Sequence, residues 1–175
     1  MSSPLGPVTV LDGGWSGAAA ADHAAHVLAA ACGEGVRVAS HVLADDTGRR
    51  VGLAVDGVAP DVVARHLDLL DGVRVAAAPD VVRAHVSRTS GRLVVFRGVA
   101  ALVGRRTAAG IVADSEVDAV VGLAGCVVGD DDEVDTDDFV RPTWRAGRCE
   151  LLVQPGTHGL RPFEVRHQVL CCADH

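Results

Sequence analysis

A chain of 175 residues with 49% apolar and 22% charged side chains can bury a core of its own, and we expect one domain, residues 1–175. Seven acidic residues between positions 130 and 138 equal the whole formal charge of −7, so the rest of the chain is balanced and a nucleic-acid binder is disfavoured. No window approaches the roughly 20 charge-free apolar residues of a membrane span, which disfavours a membrane protein.

The composition and the cysteines favour a cytoplasmic protein. All basic residues are arginine and lysine is absent, a bias typical of a high-GC bacterial genome. No secretory signal precedes the cysteines, and their spacing is irregular: Cys32, Cys126, Cys149, Cys171 and Cys172. We therefore predict reduced thiols and a cytoplasmic location.

The N-terminal third predicts a strand, a glycine-rich turn and a helix. An apolar, β-branched run covers residues 7–11, and an alanine-rich stretch at 18–32 predicts a helix with Ser16 as its N-cap and Gly33 at its end. A second strand at 36–43 completes a β-α-β unit with a right-handed crossover. The turn signal at 45–48 then predicts a hairpin with residues 51–55.

The remaining elements alternate between strands and helices. The patterns predict a helix from Pro60 to about residue 71, strands at 73–78 and 92–96, short helices at 79–87 and 108–123, and a fifth strand at 126–128. After about residue 140, proline and glycine divide the chain into short pieces, and we expect an antiparallel pair at 149–153 and 163–170. The order predicts an α/β protein, a three-layer flavodoxin-like fold with a mostly parallel sheet and a β-rich C-terminal extension.

The glycine-rich turn is the first candidate binding site. In a parallel sheet this turn exposes backbone N–H groups and a helix N-terminus to an anion, the basis of phosphate sites. The candidate residues are Gly13, Gly14, Trp15, Ser16 and Gly17. They match neither the dinucleotide fingerprint nor the P-loop, and close packing of helix against strand is the structural alternative.

Three segments carry a resemblance to a known family: VTVLDGGWSG with its helix, LLDGVRVAAAPDVVRAHVS, and GRRTAAGIVADSEVDAVVGLAGCVV. Over about residues 8–129 the chain resembles the flavodoxin-like NAD(P)H-dependent FMN reductases. The resemblance implies an oxidoreductase with FMN as cofactor and NAD(P)H as co-substrate. It also implies that the turn Ala78, Pro79 and Asp80 approaches the flavin ring. No catalytic side chain is assigned, because the flavin supplies the hydride chemistry.

Two alternatives stay open. The acidic run can serve as an interaction surface, which favours a non-enzymatic partner-binding or immunity-like protein. The C-terminal cluster of His167, Cys171, Cys172 and His175 favours a small metal protein, although strand alternation places Cys172 on the opposite face and no metal ligand is assigned. We thus expect either a small-molecule ligand or a protein partner, with a homodimer as a further alternative.

Overall fold

The structure is a computed structural model that describes residues 6–46, 48–157 and 159–166. Two single-turn 3-10 helices lie at Leu67–Leu69 and Val99–Ala101. The other elements, in chain order, are β1 (Thr9–Trp15), α1 (Ala18–Cys32), β2 (Arg37–Asp45), β3 (Gly48–Asp56), α2 (Pro60–Arg65), β4 (Arg74–Val75), α3 (Pro79–Val86), β5 (Arg92–Val95), β6 (Arg105–Thr107), α4 (Ala108–Asp114), β7 (Ala119–Gly122), β8 (Glu133–Asp135), β9 (Thr143–Arg145), β10 (Arg148–Gly156) and β11 (Gly159–Pro162).

The chain divides into two compact units. The first runs to Arg97 and includes Thr143–Cys149, and the second comprises Gly98–Pro142 with the described residues from Glu150 onward. The expectation of a single domain stays a prediction, because the compactness of each unit does not decide whether the two fold together.

The first unit is built on an antiparallel sheet. Its strand order is β4-β1-β3-β2-β5-β9, and each of these described pairings is antiparallel. The predicted hairpin is confirmed, since β2 pairs with β3 along its whole length from Arg37 opposite Asp56 to Asp45 opposite Gly48.

The prediction of a flavodoxin-like, mostly parallel sheet is wrong. Strands β1 and β2 run in the same direction, as a crossover through α1 requires, but β3 lies between them and pairs with both. The hairpin therefore produces a split β-α-β arrangement. Sequence periodicity predicted the strands but not which strand lies beside which.

Two helices cover opposite faces of this sheet. Leu28 of α1 packs with Leu11, Leu53 and Val38 on one face. On the other face Val81 of α3 packs with a smaller cluster that includes Val10. The side chains that alternate along β1 and β3 thus enter two different cores.

Helix α1 confirms the alanine-rich prediction. It begins at Ala18, ends at Cys32, and is followed by Gly33 at φ 84°, a left-handed conformation that favours glycine. The predicted N-cap is wrong by one residue: Gly17 occupies the position, without a side-chain cap. The first turn of α1 also lacks an acidic side chain.

The second unit departs further from the prediction. Helix α4 ends at Asp114 rather than near 123, because Ser115 Oγ donates to the Ile111 carbonyl at 2.6 Å and accepts from Val117 N at 3.1 Å. Val-rich residues that were predicted as helix form β7 instead, parallel to β10. Residues 126–128 form no strand.

A C-terminal antiparallel pair exists, but its second strand precedes the predicted one. β10 pairs antiparallel with β11, which ends at Pro162, and residues 163–166 are not a strand. The rest of the predicted strand at 163–170 lies outside the described residues. β8 joins β11 in parallel and β6 antiparallel. Across the described chain, no helix is both long enough and apolar enough to cross a lipid bilayer.

Candidate functional site

The glycine-rich segment continues strand β1. Gly13, Gly14 and Trp15 belong to β1, and the pairing with β3 shifts register between Asp12 and Trp15. Gly14, at φ 67°, donates its N–H to the Asp12 carboxylate at 3.0 Å. Because this sheet is antiparallel, the parallel-sheet argument for a phosphate site at this turn no longer applies.

The Asp12 carboxylate is fully engaged by arginines. Arg50 donates three hydrogen bonds to it, with the shortest at 2.8 Å, and Arg74 donates another at 2.8 Å. The hydrogen bonds from Arg50 hold the pKa of Asp12 well below its usual range against the opposing effect of burial. Asp12 is therefore an anchor for β1, β3 and β4.

The second predicted segment begins helix α3. Ala78 is the N-cap, Pro79 the first helical residue, and Asp80 is exposed and pairs with Arg83. Of the eight predicted site residues, only Asp80 lines the groove described next. Ala18, the first residue of α1, follows the predicted glycine-rich segment and also lines this groove.

An open groove of about 610 Å³ lies in the first unit. Its lining comes from the start of α1, the middle of β2, helix α3, the turn before β5, and β9. The side chains are Ala18, Ser40, His41, Val42, Val51, Asp80, Val81, Ala84, Ser90, Gly91, Arg92, Thr143 and Trp144. Most of this surface is apolar, with one histidine, one carboxylate and one guanidinium.

A chain of four polar residues runs from this groove into the protein. His41 Nε2 lies 3.1 Å from His85 Nδ1, and His85 Nε2 lies 2.6 Å from Asp56 Oδ2. Arg37 donates to both oxygens of Asp56, at 2.9 and 3.1 Å. These residues come from β2, α3 and β3, so three separate elements hold the four hydrogen-bonded side chains in place.

Three of these four residues are buried to a degree unusual for ionisable groups. His85 is fully buried, Asp56 is 2% exposed and His41 is 7% exposed. Burial alone would raise the pKa of Asp56, but hydrogen bonds from His85 and Arg37 outweigh it and lower the pKa. Burial, followed by the nearby His85, lowers the pKa of His41 to about 4. At neutral pH, Asp56 is therefore a carboxylate and His41 a neutral imidazole.

The carboxylate sets the order of donors along the chain. An ionised Asp56 only accepts hydrogen bonds, so His85 carries its proton on Nε2. In the arrangement with one proton on each ring, His85 accepts at Nδ1 from the Nε2 proton of His41. This arrangement leaves Nδ1 of His41 without a proton.

Trp144 and Gly91 close the site around the two histidines. The Trp144 ring meets His85 edge-on, with centroids 4.6 Å apart, and Arg37 lies over the same indole at 5.5 Å. A Cβ on Gly91 would lie 2.7 Å from His41 Cε1, so only glycine fits. The buried Nε1 of Trp144 has no hydrogen-bond partner among the described residues. An unpaired buried donor costs about 1–3 kcal/mol.

The other two candidate sites from the sequence are the acidic run and the C-terminal cluster of histidines and cysteines. In the acidic run, Asp132 accepts from Gly129 N at 2.7 Å and Asp138 accepts from Gly104 N at 2.8 Å, so these acids hold backbone turns. Residues 6–46, 48–157 and 159–166 contain no metal-ligating group of three His, Cys, Asp or Glu side chains. The cluster of His167, Cys171, Cys172 and His175 lies outside the described residues.

Sequence reasoning missed His41, His85 and Asp56. Each stands alone in an apolar stretch, and the intervals of 44 and 29 residues between hydrogen-bonded partners match no motif. The one available signal was an ionisable residue at a predicted core position in each of three elements. Such residues are rarely buried unless they are paired.

Comparisons with known proteins return no relative: no family model, no curated protein and no solved structure matches the chain. The site's own chemistry is therefore the basis for any functional conclusion.

Proposed function

We propose that the first unit is a catalytic domain in which His41 acts as a general base on a small molecule bound in the groove, most simply in the hydrolysis of an ester. The observation that carries this proposal is the hydrogen-bond chain from Arg37 through Asp56 and His85 to His41, which ends at the groove. General bases are commonly histidines oriented by a second group, and clefts with perturbed ionisable residues are candidate active sites.

The hydrogen-bond chain from Arg37 to His41 explains how a weakly basic histidine can accept a proton. When Nδ1 of His41 takes a proton, the proton on Nε2 of the same ring passes to Nδ1 of His85. The positive charge then rests on His85, hydrogen-bonded to the Asp56 carboxylate at 2.6 Å. The attraction between two opposite charges is stronger in a buried site than in water. Arg37 keeps Asp56 ionised and correctly oriented.

The apolar lining of the groove supports a small organic substrate. Val42, Val81 and Ala84 supply apolar contact surface, and Arg92 is already paired with Asp22 at 2.7 Å. Helix α1 begins at Ala18, in the groove wall, so the positive end of its dipole favours negative charge there. This arrangement suits a neutral carbonyl compound that becomes an anion during attack.

The remaining expectations stay predictions. FMN or another phosphate-bearing ligand at Gly13–Gly17 and Ala78–Asp80, with NAD(P)H-dependent reduction, has lost the geometric support of a parallel sheet. A partner-binding role, a homodimer and a C-terminal metal site are untested. We also propose a cytoplasmic location, in keeping with the free thiols of Cys32 and Cys126.

Hydrolysis of p-nitrophenyl acetate tests the proposed function. The chain contains no lysine, so the usual side reaction of this ester with lysine amines is absent. We expect His41→Gln to reduce the rate to that of the uncatalysed reaction. His23→Gln, which removes an exposed histidine from α1, should keep the wild-type rate. Equal rates for the two variants and the wild type would show that His41 is not the base.

A further inference from the structure

The hydroxyl groups near the groove differ in what they already bind. Ser40 Oγ donates to the Arg92 carbonyl at 3.4 Å. Ser87 donates to the Arg83 carbonyl at 2.8 Å, and Thr89 to the Ala84 carbonyl at 3.4 Å, both at the end of α3. Ser90, which is exposed and lines the groove, has no hydrogen-bond partner among the described residues. Its hydroxyl is therefore available for chemistry.

The residue after Ser90 lies directly against the proposed base. Gly91 adopts φ 131°, a conformation that favours glycine, and a Cβ there would lie 2.7 Å from Cε1 and 2.9 Å from Nε2 of His41. On its other side, the Gly91 carbonyl accepts from Trp144 N at 2.9 Å. The backbone that carries Ser90 is thus held between His41 and β9.

We propose that Ser90 is the nucleophile and that its substrates are small carboxylic esters, an inference that rests on the proposed role of His41 as general base. Ser90 Oγ attacks the ester carbonyl carbon while its proton passes to Nδ1 of His41. The tetrahedral intermediate then expels the alcohol, which takes that proton and leaves an acyl-serine. Water attacks the acyl group, His41 takes a proton from the water and returns it to Ser90, and the carboxylic acid is released.

The groove places opposing charges where this reaction requires them. The N-terminus of α1, at Ala18, favours the negative charge that forms on the carbonyl oxygen. The positive charge develops along the hydrogen bonds from His41 to His85 and Asp56. The described groove offers one further hydroxyl without a partner, that of Thr143, which is half-buried and secondary. An exposed primary hydroxyl is the less hindered nucleophile.

Covalent labelling tests Ser90 separately from His41. The wild type, Ser90→Ala, His41→Gln and the control Ser87→Ala are treated with a fluorophosphonate and examined by intact mass and peptide fragmentation. Each is also assayed with p-nitrophenyl acetate. We expect one adduct on Ser90 in the wild type and in Ser87→Ala, none in Ser90→Ala, and labelling slowed by about 10²-fold or more in His41→Gln.

The outcomes separate the two proposals. The serine proposal is overturned if folded Ser90→Ala hydrolyses the ester at the wild-type rate and the wild type carries no adduct on Ser90. If His41→Gln is inactive in the same experiment, His41 acts on water and the proposed function stands. If neither variant changes hydrolysis, both proposals fall. Because Ser90 is exposed, its replacement by alanine should leave the midpoint of thermal unfolding at the wild-type value.

Discussion

Asp56→Asn is expected to destabilise the first unit by about 3–5 kcal/mol, the typical cost of breaking a buried ion pair by removing one partner. Asp56 is 2% exposed and joins Arg37, which is itself only 14% exposed, to the fully buried His85. The asparagine keeps the shape of the side chain but leaves the guanidinium without its counter-charge. Urea unfolding followed by tryptophan fluorescence measures the loss, because Trp15 and Trp144 both lie in this unit.

The control for this prediction is Asp61→Asn. Asp61 pairs with Arg65 on the surface of α2, where both side chains are more than two-thirds exposed, and such pairs contribute about 0–1 kcal/mol. A loss of less than about 1 kcal/mol for Asp56→Asn would mean that the buried chain does not hold the unit together.

The stability of the wild type should also fall in acid, with one component from His41, a second from Asp56 and a third from Asp12, whose pKa is also lowered. The pKa of His41 drops from 6.5 in the unfolded chain to about 4 when folded, so the folded state binds fewer protons. The contribution of His41 to the free energy of unfolding is complete above about pH 6.5 and is lost as the pH falls towards 4. The pKa of Asp56 is lowered below 3.8, so its contribution is lost at still lower pH. Asp56→Asn should remove only this second component.

His85→Gln is expected to lower kcat for ester hydrolysis by about 10²-fold or more while changing KM little, because His85 acts through His41 and does not touch the substrate. Glutamine cannot take up the proton that His41 passes on. The pH profile gives a second readout: since His85 helps to lower the pKa of His41, the acid limb should move upward from about 4.

A purely structural role for His85 would leave both readouts unchanged in protein that remains folded. His66→Gln provides the control, because His66 follows α2 and does not line the groove. A folded His85→Gln protein with the wild-type kcat and an unmoved acid limb would contradict the relay.

Local signals in the sequence were sufficient for several elements. The alanine run and Gly33 predicted α1 with correct ends, and the turn signal after Asp45 predicted the β2-β3 hairpin. These features depend on residues that are close in the chain. The position of β3 between β1 and β2 depends on pairing between distant segments, which periodicity does not encode, and so the predicted parallel sheet was wrong.

The prediction for the second unit was wrong for a related reason. Valine-rich residues after Asp114 suit a helix or a strand, and the choice is made by Ser115, which ends α4, and by parallel pairing of β7 with β10. The candidate site was also beyond local reasoning. His41 and His85 acquire their chemistry only when β2 and α3 bring them within 3.1 Å.

The protonation of the two histidine rings is the central claim, and a long-range ¹H–¹⁵N correlation spectrum at neutral pH measures it directly, with His41→Gln and His85→Gln providing the assignments. We predict that the neutral ring of His41 carries its proton on Nε2 and donates it to Nδ1 of His85, which leaves Nδ1 of His41 free to accept. A proton on Nδ1 of His41, or a His85 ring protonated on both nitrogens, would reverse the order of donors and contradict the assignment of His41 as general base.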